Sequence, residues 1–496
     1  MAASAGSAPD HAGMGDRWWR AGIPLALGLI IALLPAPAGL APHAWYFFAI
    51  FVAVVAGLVL EPLPNAAIGF IGITVVTALA PWVLQSPAEL ARPDFNGVAN
   101  ATQWALSGFA STTVWLVGGA FMFAMGYQKT GLGRRIALLL VRALGKSTLQ
   151  LGYATAFAEA LLAIVTPSNT ARGAGTIYPV VSNLPPLYDS HPNDPSRRRL
   201  GSYVLYTAFA SNTITSTLFL TGCAPNFLAL DFARRIAHAE ITWFGWLQVT
   251  AVFAIPLLLL TPLLLYFIYP PELKRSEEAS LWAGRELAAM GPLSRKEIIL
   301  GILAFGAVLL WIFGEHWLEG SMVAFLAISL MLIFGVFTWD DMAKNHAAWT
   351  TMVLLATMVT MASGLARVGF ITWFANAAAS HLVGFSPLPT IQLLVVTYFL
   401  SHYFFASLTA HTTAMFPVML AVGMAIPGLP ADKLAISLAV TTGIMGIITP
   451  YATGAAAPYY NSGYIKPAEF WAYGAILAVF FLSALVFLGI PVLLAR

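Results

Sequence analysis

The sequence predicts an all-α polytopic membrane protein. Of its 496 residues, 59% are hydrophobic and only 9% are charged, whereas soluble domains carry about 25% charged residues. The apolar residues are grouped in long runs without Lys, Arg, Asp or Glu, and roughly 20 such residues cross a bilayer as a helix. The chain therefore has room for about 11 transmembrane helices. Two shorter elements are predicted to be re-entrant helical hairpins, which enter and leave the membrane on one side.

The composition and motifs also exclude several classes of function. The single cysteine, Cys223, excludes an intramolecular disulfide and a multi-cysteine metal site. The sequence contains no Walker, HExxH or Gly-x-Ser-x-Gly motif, so neither ATP-driven pumping nor a hydrolase of these types is indicated. We therefore expect no enzyme activity, no metal, no cofactor and no nucleic-acid partner. We expect the protein to be embedded in the lipid bilayer.

Four apolar spans and an amphipathic helix open the chain. Residues 1–20 lack the pattern of a secretory signal peptide and are predicted to be a cytoplasmic tail. The spans follow near 21–41, 43–60, 63–84 and 104–128. Basic side chains then alternate with a leucine-rich face over 129–146. This pattern favours a helix at the membrane surface over a solvated loop.

The first predicted hairpin spans 149–187 and has a polar tip. At its centre lies the run Thr166-Pro167-Ser168-Asn169-Thr170-Ala171-Arg172-Gly173. Both arms are shorter than a full crossing, and Pro167 cannot continue a helix. Non-helical backbone at membrane depth is tolerated only where protein or a watery cavity satisfies its polar groups. The tip therefore marks a candidate site.

A broken helix and a charged linker complete the first half. The helix predicted over 203–230 is interrupted at Gly222-Cys223-Ala224-Pro225-Asn226, and broken helices form substrate and ion sites in transporters. A sixth span near 243–270 closes a first repeat that covers 21–270. The following linker, 271–297, carries a long run of charged residues and divides the chain near its centre.

The second half, 298–496, repeats this order. It contains a hairpin at 388–425 with a polar centre over 407–413, and a broken helix at 433–465 that is interrupted at Thr449–Gly454. The other elements are four spans and a short surface helix, near 298–314, 319–338, 347–366, 468–495 and 369–384. A duplicated order of this kind is typical of secondary transporters built from inverted repeats.

The loop cations predict the orientation, because cytoplasmic loops carry an excess of Lys and Arg. Most of the 24 Lys and Arg residues fall on one side when the N-terminus is cytoplasmic and the C-terminus is external. In this topology the 271–297 linker is cytoplasmic, the first hairpin enters from the cytoplasm, and the second enters from outside. The predicted location is a bacterial inner membrane.

The two tips and the two breaks carry groups that bind anions. Helix N-termini present free N–H groups and the positive end of the helix dipole, which suit a carboxylate. Short hydroxyl and amide side chains add hydrogen-bonding groups at Ser168, Asn169, Thr170, Thr412 and Thr453. Two such clusters that face each other would suit an anion with a carboxylate at each end.

The tip, break and closing motifs resemble those of a known family. The run 166–173, the first break and the segment Asn461-Ser462-Gly463-Tyr464 look like the divalent-anion/sodium symporter family. The run 166–173, with 407–412 and 449–454, resembles more narrowly the branch of citrate/succinate, tartrate/succinate and plastid 2-oxoglutarate/malate exchangers. The resemblance implies a homodimeric secondary transporter that exchanges di- or tricarboxylates by alternating access. In that mechanism a hairpin-bearing transport domain moves against a scaffold.

The resemblance also implies two half-sites, since tip and break bind sodium and the substrate carboxylates in the sodium-coupled members. The first half-site would contain Ser168, Asn169, Thr170, Gly222 and Cys223. The second, in which His411 is matched with Asn169, would contain Thr409, Ala410, His411, Thr412, Ala452, Thr453 and Gly454. The second tip reads Ala-His-Thr, so it lacks a hydroxyl and an amide oxygen that sodium would use.

Arg172 and His411 suggest a sodium-independent exchanger. A charge at membrane depth costs roughly 2.5–3.5 kcal/mol, which makes Arg172 a candidate for substrate binding; the alternative is a brace for the hairpin. His411 is either cationic, or neutral and only hydrogen-bonded. If both are cationic they replace bound sodium, and the empty site cannot reorient because its charge is unbalanced. The alternative function is a sodium-coupled dicarboxylate symporter. The repeated tripeptide Ser211-Asn212-Thr213 is predicted to be a polar helix face.

Overall fold

The computed structural model describes residues 14–314, 316–379 and 386–495, and within these ranges the regular structure is entirely helical. The described residues contain no strand, and an isolated backbone bridge joins Ser147 to Arg275. The predicted all-α class is therefore confirmed. The chain divides into two compact units, one of 1–110 with 353–377 and one of 111–352 with 378–496.

The helices follow the predicted order along the chain. Those before the first hairpin are α1 (Met14–Leu33), α2 (Pro42–Leu60), α3 (Asn65–Ala78), α4 (Ala80–Val83), α5 (Pro87–Leu90), α6 (Gly97–Leu106), α7 (Thr112–Thr130) and α8 (Leu132–Leu144). The first hairpin and first broken helix contain α9 (Thr148–Ala163), α10 (Asn169–Arg172), α11 (Tyr178–Val181), α12 (Gly201–Leu218) and α13 (Ala224–Ala237).

The second half begins after the linker. Its helices and those just before it are α14 (Trp243–Ile268), α15 (Glu277–Met290), α16 (Arg295–Phe313), α17 (Gly320–Ile333), α18 (Trp339–Ala343), α19 (His346–Arg367) and α20 (Phe370–Ala379). The second hairpin and the C-terminal elements contain α21 (Pro387–Ser401), α22 (Leu408–Met424), α23 (Ala431–Thr441), α24 (Ala456–Tyr460), α25 (Pro467–Ala484) and α26 (Ile490–Ala495). Part of the predicted surface helix at 369–384 lies outside the described residues.

Five helical segments of the described chain are long and apolar enough to cross a membrane. They are α2, α14, α16, α19 and the continuous run Pro467–Ala495. Shorter apolar helices include α3, α17 and α22. The predicted number of about 11 crossings stays a prediction, because the shorter helices are not long enough to be assigned as membrane crossings by length alone.

The predicted span near 104–128 is two helices rather than one. Between α6 and α7, the backbone N–H of Gly108 donates to Oγ1 of Thr360 at 3.0 Å. A Cβ at Gly108 would lie 1.9 Å from the carbonyl oxygen of Ala356, so glycine is required at this close approach. The boundary between the two compact units follows directly after this turn.

The charged linker predicted at 271–297 contains a helix, α15, and is not simply a loop. α15 packs along α8, the amphipathic helix predicted over 129–146. Arg135 of α8 donates from Nε to Oε1 of Glu297 at 2.6 Å, and both side chains are buried. The charges near the linker therefore hold neighbouring helices together, a role that their sequence pattern did not indicate.

Both predicted hairpins consist of a helix, an irregular tip and a second helix. After the first tip the chain is helical from Asn169, through α10, a π-helical turn and α11. After the second tip, α22 begins at Leu408. A serine caps the second helix in each case, because the hydroxyls of Ser168 and Ser407 accept from backbone N–H groups at 3.1 and 3.4 Å.

The two capping serines change which residues of the first and second tips correspond to each other. The sequence comparison matched Asn169 with His411. Counting from the capping serines instead pairs Thr170 with Thr409, and Arg172 with His411. The match in the sequence was wrong in register, because the capping serine and not the Ser-Asn-Thr tripeptide determines where the second helix starts.

Both predicted broken helices are interrupted, and neighbouring side chains satisfy the carbonyls that the first interruption frees. Nε1 of Trp246 donates to the carbonyl oxygen of Thr217 at 2.8 Å. The hydroxyl of Thr250 donates to the carbonyl oxygen of Leu218 at 2.7 Å. Nδ2 of Asn226 donates to the carbonyl oxygen of Ser216 at 2.7 Å. These bonds supply partners that a regular helix would have provided.

Replacing Asn226 by Ala should destabilise the protein. The substitution removes the amide that caps the buried end of α12, and an unsatisfied buried acceptor costs about 1–3 kcal/mol. We expect a lower thermal unfolding midpoint of the detergent-purified protein. The matched control is Asn183→Ala, because exposed Asn183 donates to a carbonyl in its own segment at 2.6 Å. Equal midpoints for the two variants would contradict the capping role.

Candidate functional site

A buried ion pair between Arg172 and Glu159 lies beneath the first tip. Nε of Arg172 donates to Oε2 of Glu159 at 2.7 Å, and neither side chain has exposed surface. Glu159 belongs to α9, the first arm of the hairpin. An unpaired charge at such a position is expensive. Each of the two buried charges is therefore tolerated only because the other neutralises it.

The remaining guanidinium nitrogens bind the tip and the first break. Nη1 of Arg172 donates to the carbonyl oxygens of Thr166 and Gly222, both at 2.9 Å. Nη2 donates to the hydroxyl oxygens of Thr215 and Ser216, both at 3.3 Å. Arg172 thus braces the hairpin against the broken helix, which was the alternative considered for it.

The pairing changes one premise of the sequence-based hypothesis. That hypothesis treated Arg172 as an unbalanced cation that faces the substrate. Glu159 balances its charge, and the buried guanidinium has no surface available to a ligand in this conformation. Arg172 is therefore described better as a positioning residue than as a direct substrate ligand.

Asn212 links the ion pair to the backbone of the tip. Its Nδ2 donates to Oε2 of Glu159 and to the carbonyl oxygen of Asn169, both at 3.1 Å. Asn212 lies on the fully buried helix α12. It contacts the tip from behind, as expected for a polar helix face.

The first tip meets the second break. Nδ2 of Asn169 donates to Oγ1 of Thr453 at 2.9 Å, and both residues are buried. Next to them, Thr170 and Gly454 are exposed. A Cβ at Gly454 would lie 2.8 Å from Oγ1 of Thr170, so Thr170 approaches the break closely at a position where the break has no side chain. Residues from the two halves of the chain thus form one surface.

The second tip surrounds His411 with aromatic and hydroxyl groups. The hydroxyl of Ser401 donates to the carbonyl oxygen of Tyr398 at 2.8 Å. Its oxygen therefore accepts from Nε2–H of His411, also at 2.8 Å. His411 is fully buried, and within the described residues it makes no ion pair with a carboxylate. This geometry favours a neutral imidazole, because a buried unpaired charge is costly.

His402 connects the second hairpin to the second break. Its Nε2 lies 3.2 Å from the carbonyl oxygen of Ala452, which can only accept, so Nε2 carries the proton. The rings of His402 and His411 are 5.0 Å apart between centroids. Nδ1 of each ring has no hydrogen-bond partner among the described residues. The two imidazoles form a buried pair directly behind the second tip.

The predicted site residues divide into two groups. Some have surface available to a ligand: Ser168, Thr170, Thr409 and Gly454. The others are buried behind them: Asn169, Arg172, Gly222, Cys223, His411, Thr412 and Thr453. All of them belong to the larger compact unit. The first group is thus the candidate contact surface and the second group shapes it.

Two contributors, Glu159 and His402, were not identified from the sequence, and Asn212 was predicted only as part of a polar helix face. A signal existed for Glu159, which is an acidic residue inside an otherwise apolar arm, 13 residues before Arg172. His402 gave no comparable signal, because its hydrogen-bond partner, Ala452, is 50 residues away in the sequence. No three His, Cys, Asp or Glu side chains of the described chain are grouped as in a metal site.

The fold and the site define a membrane transport protein. Apolar helices, polar-tipped hairpins and interrupted helices that meet at one buried polar cluster are the features of such proteins. The family described as "Sodium:sulfate symporter transmembrane region" matches residues 15–493. The chain belongs to this family and is an integral membrane transporter, not an enzyme. The predicted family is confirmed.

Curated relatives are similar over nearly the whole chain. The citrate/succinate antiporter of Escherichia coli (strain K12) is 48% identical over 478 residues, which cover 96% of this chain and 98% of that protein. The L-tartrate/succinate antiporter of the same strain is 46% identical over 474 residues, covering 95% and 97%.

A solved structure has a similar fold. The YdaH transporter of Alcanivorax borkumensis, whose topology is described as unusual, is 16% identical to this chain with a TM-score of 0.55. The similarity covers 85% of this chain and 96% of the YdaH chain. At this identity it supports the fold alone.

Removing either partner of the buried ion pair should destabilise the protein. Breaking such a pair costs about 3–5 kcal/mol, so Glu159→Gln and Arg172→Gln should each lower the thermal unfolding midpoint and the monodisperse yield. The double variant should lose less than the sum of the two single variants. Arg142→Gln, which removes an exposed cation, serves as the control. A stable Arg172→Gln variant that has lost only transport would instead favour direct substrate contact.

Proposed function

We propose that this protein is a secondary antiporter that exchanges di- or tricarboxylate anions, without coupling to sodium. The citrate/succinate and tartrate/succinate antiporters are relatives over almost the entire chain, which supports both the class of substrate and the exchange mode. Citrate, succinate, malate, tartrate and 2-oxoglutarate are the class to test.

The observation that supports sodium independence is that side chains of the protein already donate hydrogen bonds to the carbonyl oxygens at the two breaks. In sodium-coupled members of the family, as the resemblance implies, tip and break together bind the ion. Here the Gly222 carbonyl accepts from Arg172 at 2.9 Å, and the Ala452 carbonyl accepts from His402 at 3.2 Å. Protein N–H groups thus already bond a carbonyl oxygen at each break, which makes these oxygens weaker ligands for a cation.

The proposed substrate contacts are the tip and break residues that have exposed surface. Ser168, Thr170 and Thr409 offer hydroxyl groups, and Gly454 allows backbone approach. Asn169 and Thr453, which bond each other, hold this surface in position. Helix N-termini at the tips add N–H groups that suit a carboxylate. Gly222, Cys223 and Thr412 are proposed to shape the half-sites, with Arg172 and His411 behind them.

The remaining features are proposed from the sequence and the family. The topology has two inverted repeats, 21–270 and 298–496, with the N-terminus cytoplasmic and the C-terminus external. The location is a bacterial inner membrane, which fits the bacterial source of the two antiporters. The assembly is a homodimer that works by alternating access. The alternative function is a sodium-coupled dicarboxylate symporter.

Counterflow in proteoliposomes tests the proposal. Purified protein should exchange external labelled succinate for internal citrate, tartrate or malate in sodium-free buffer, and efflux into buffer without a counter-substrate should be much slower. Replacing sodium by potassium should leave the exchange rate unchanged. Strict dependence on sodium would favour the symporter, and exchange of none of these acids would overturn the proposed substrate class.

Removing the exposed hydroxyls of the two tips should weaken substrate binding without unfolding the protein. Hydrogen bonds to charged groups contribute roughly 1.5–3 kcal/mol, so Thr170→Val and Thr409→Val should each raise the KM for exchange about tenfold or more. Thr397→Val is the control, because exposed Thr397 donates only to the carbonyl oxygen of Leu393. Unchanged KM values with unchanged stability would remove these hydroxyls from the contact surface.

A further inference from the structure

A cavity with both polar and apolar lining lies beside the first tip and shares Ser168 with the first half-site. Its volume is about 280 Å³, near the lower end of the roughly 300–1,000 Å³ range of small-molecule pockets. The residues that matter in its lining are Gln128, Lys129, Ser168, Asp341, Lys344 and Asn345. Because Ser168 is shared with the tip, a ligand in this cavity would be next to the candidate contact surface.

Two ammonium groups border the cavity, and each is paired with an aspartate. Lys129, at the end of α7, forms an ion pair with Asp341 of α18. Lys344 pairs with Asp340 at 2.6 Å, and their side chains are 71% and 68% exposed. Exposed ion pairs contribute little free energy, so the Lys344 ammonium can exchange Asp340 for a carboxylate on a ligand. The side chains of Lys129 and Asp341 are 44% and 22% exposed, so the Lys129 ammonium also has surface on which a ligand carboxylate can bind.

Asp341 is held as a carboxylate. The Lys129 ammonium, together with the backbone and hydroxyl of Thr338, keeps the pKa of Asp341 below its usual range. Asp341 also belongs to the cap of α18, since its Oδ2 accepts from the Thr338 backbone N–H at 2.8 Å. It therefore keeps its place at the cap of α18 when Lys129 moves to another partner.

We propose that this cavity is a carboxylate subsite on the path between one face of the membrane and the first tip. Lys129 and Lys344 bind one carboxylate of the di- or tricarboxylate, and the substrate competes with Asp341 for Lys129. Binding at the subsite is weak, because it replaces one ion pair by another. Weak binding allows the substrate to leave the subsite and move on to the tip. The inference rests on the proposed function and adds a second place of substrate contact.

The competition predicts effects of opposite sign on the KM of exchange. Lys129→Gln and Lys344→Gln should each raise the KM about fivefold at low salt, with kcat unchanged, since they remove binding made before the transport step. Asp341→Asn should lower the KM, because it frees Lys129 for the substrate. A purely structural ion pair predicts the same direction for both partners. Higher ionic strength should reduce these differences.

The side of the membrane provides a second readout. Exchange is measured in right-side-out and inside-out vesicles, and the KM should change only for substrate presented on the face that carries Lys129. Lys296→Gln, an exposed lysine outside this cavity, is the matched control and should leave the KM unchanged. Effects of equal sign for Lys129→Gln and Asp341→Asn, or equal KM changes on both faces, would overturn the subsite. Failure of the wild-type protein to exchange any of the acids would instead overturn the proposed function.

Discussion

The buried pair of Arg172 and Glu159 is the interaction on which the candidate site depends. One guanidinium joins the first arm of the hairpin, the tip and the first break, with hydrogen bonds of 2.7 to 2.9 Å to Glu159, Thr166 and Gly222. A membrane interior provides no water to replace these bonds. The shape of the first half-site is therefore set by an electrostatic requirement, and the exposed hydroxyls at the tip follow from it.

The same requirement explains why the interruptions are surrounded by polar side chains. An interrupted helix leaves backbone carbonyls without partners, and here Trp246, Thr250 and Asn226 supply donors to the end of α12. The second tip uses different chemistry for the same purpose, with Ser401 and His402 as the connecting groups. These polar side chains thus provide hydrogen-bond partners for irregular backbone that a membrane interior would otherwise leave unsatisfied.

The sequence was sufficient for the fold class, the family and the approximate position of both hairpins and both breaks. Those features follow from strong local signals, such as Pro167 and the polar run beside it. The register of the second tip was wrong, because similarity to a tripeptide was weighed above the capping position of Ser407. The partner of Arg172 was missed although Glu159 lies only 13 residues before it, because its charge within the first arm was not weighed. The helix within 271–297 was missed because it packs on α8, a distant segment of the chain. Burial, which decides whether Arg172 or Thr170 faces a ligand, is likewise a property of packing.

The hydrogen bond between Asn169 and Thr453 has a consequence for the size of the acids that the proposed site can hold. It ties a tip from one half of the chain to a break from the other, so the separation of the two proposed carboxylate pockets is set by two short side chains. Under the proposed function, this contact would limit the length of the carbon backbone that can join the two pockets.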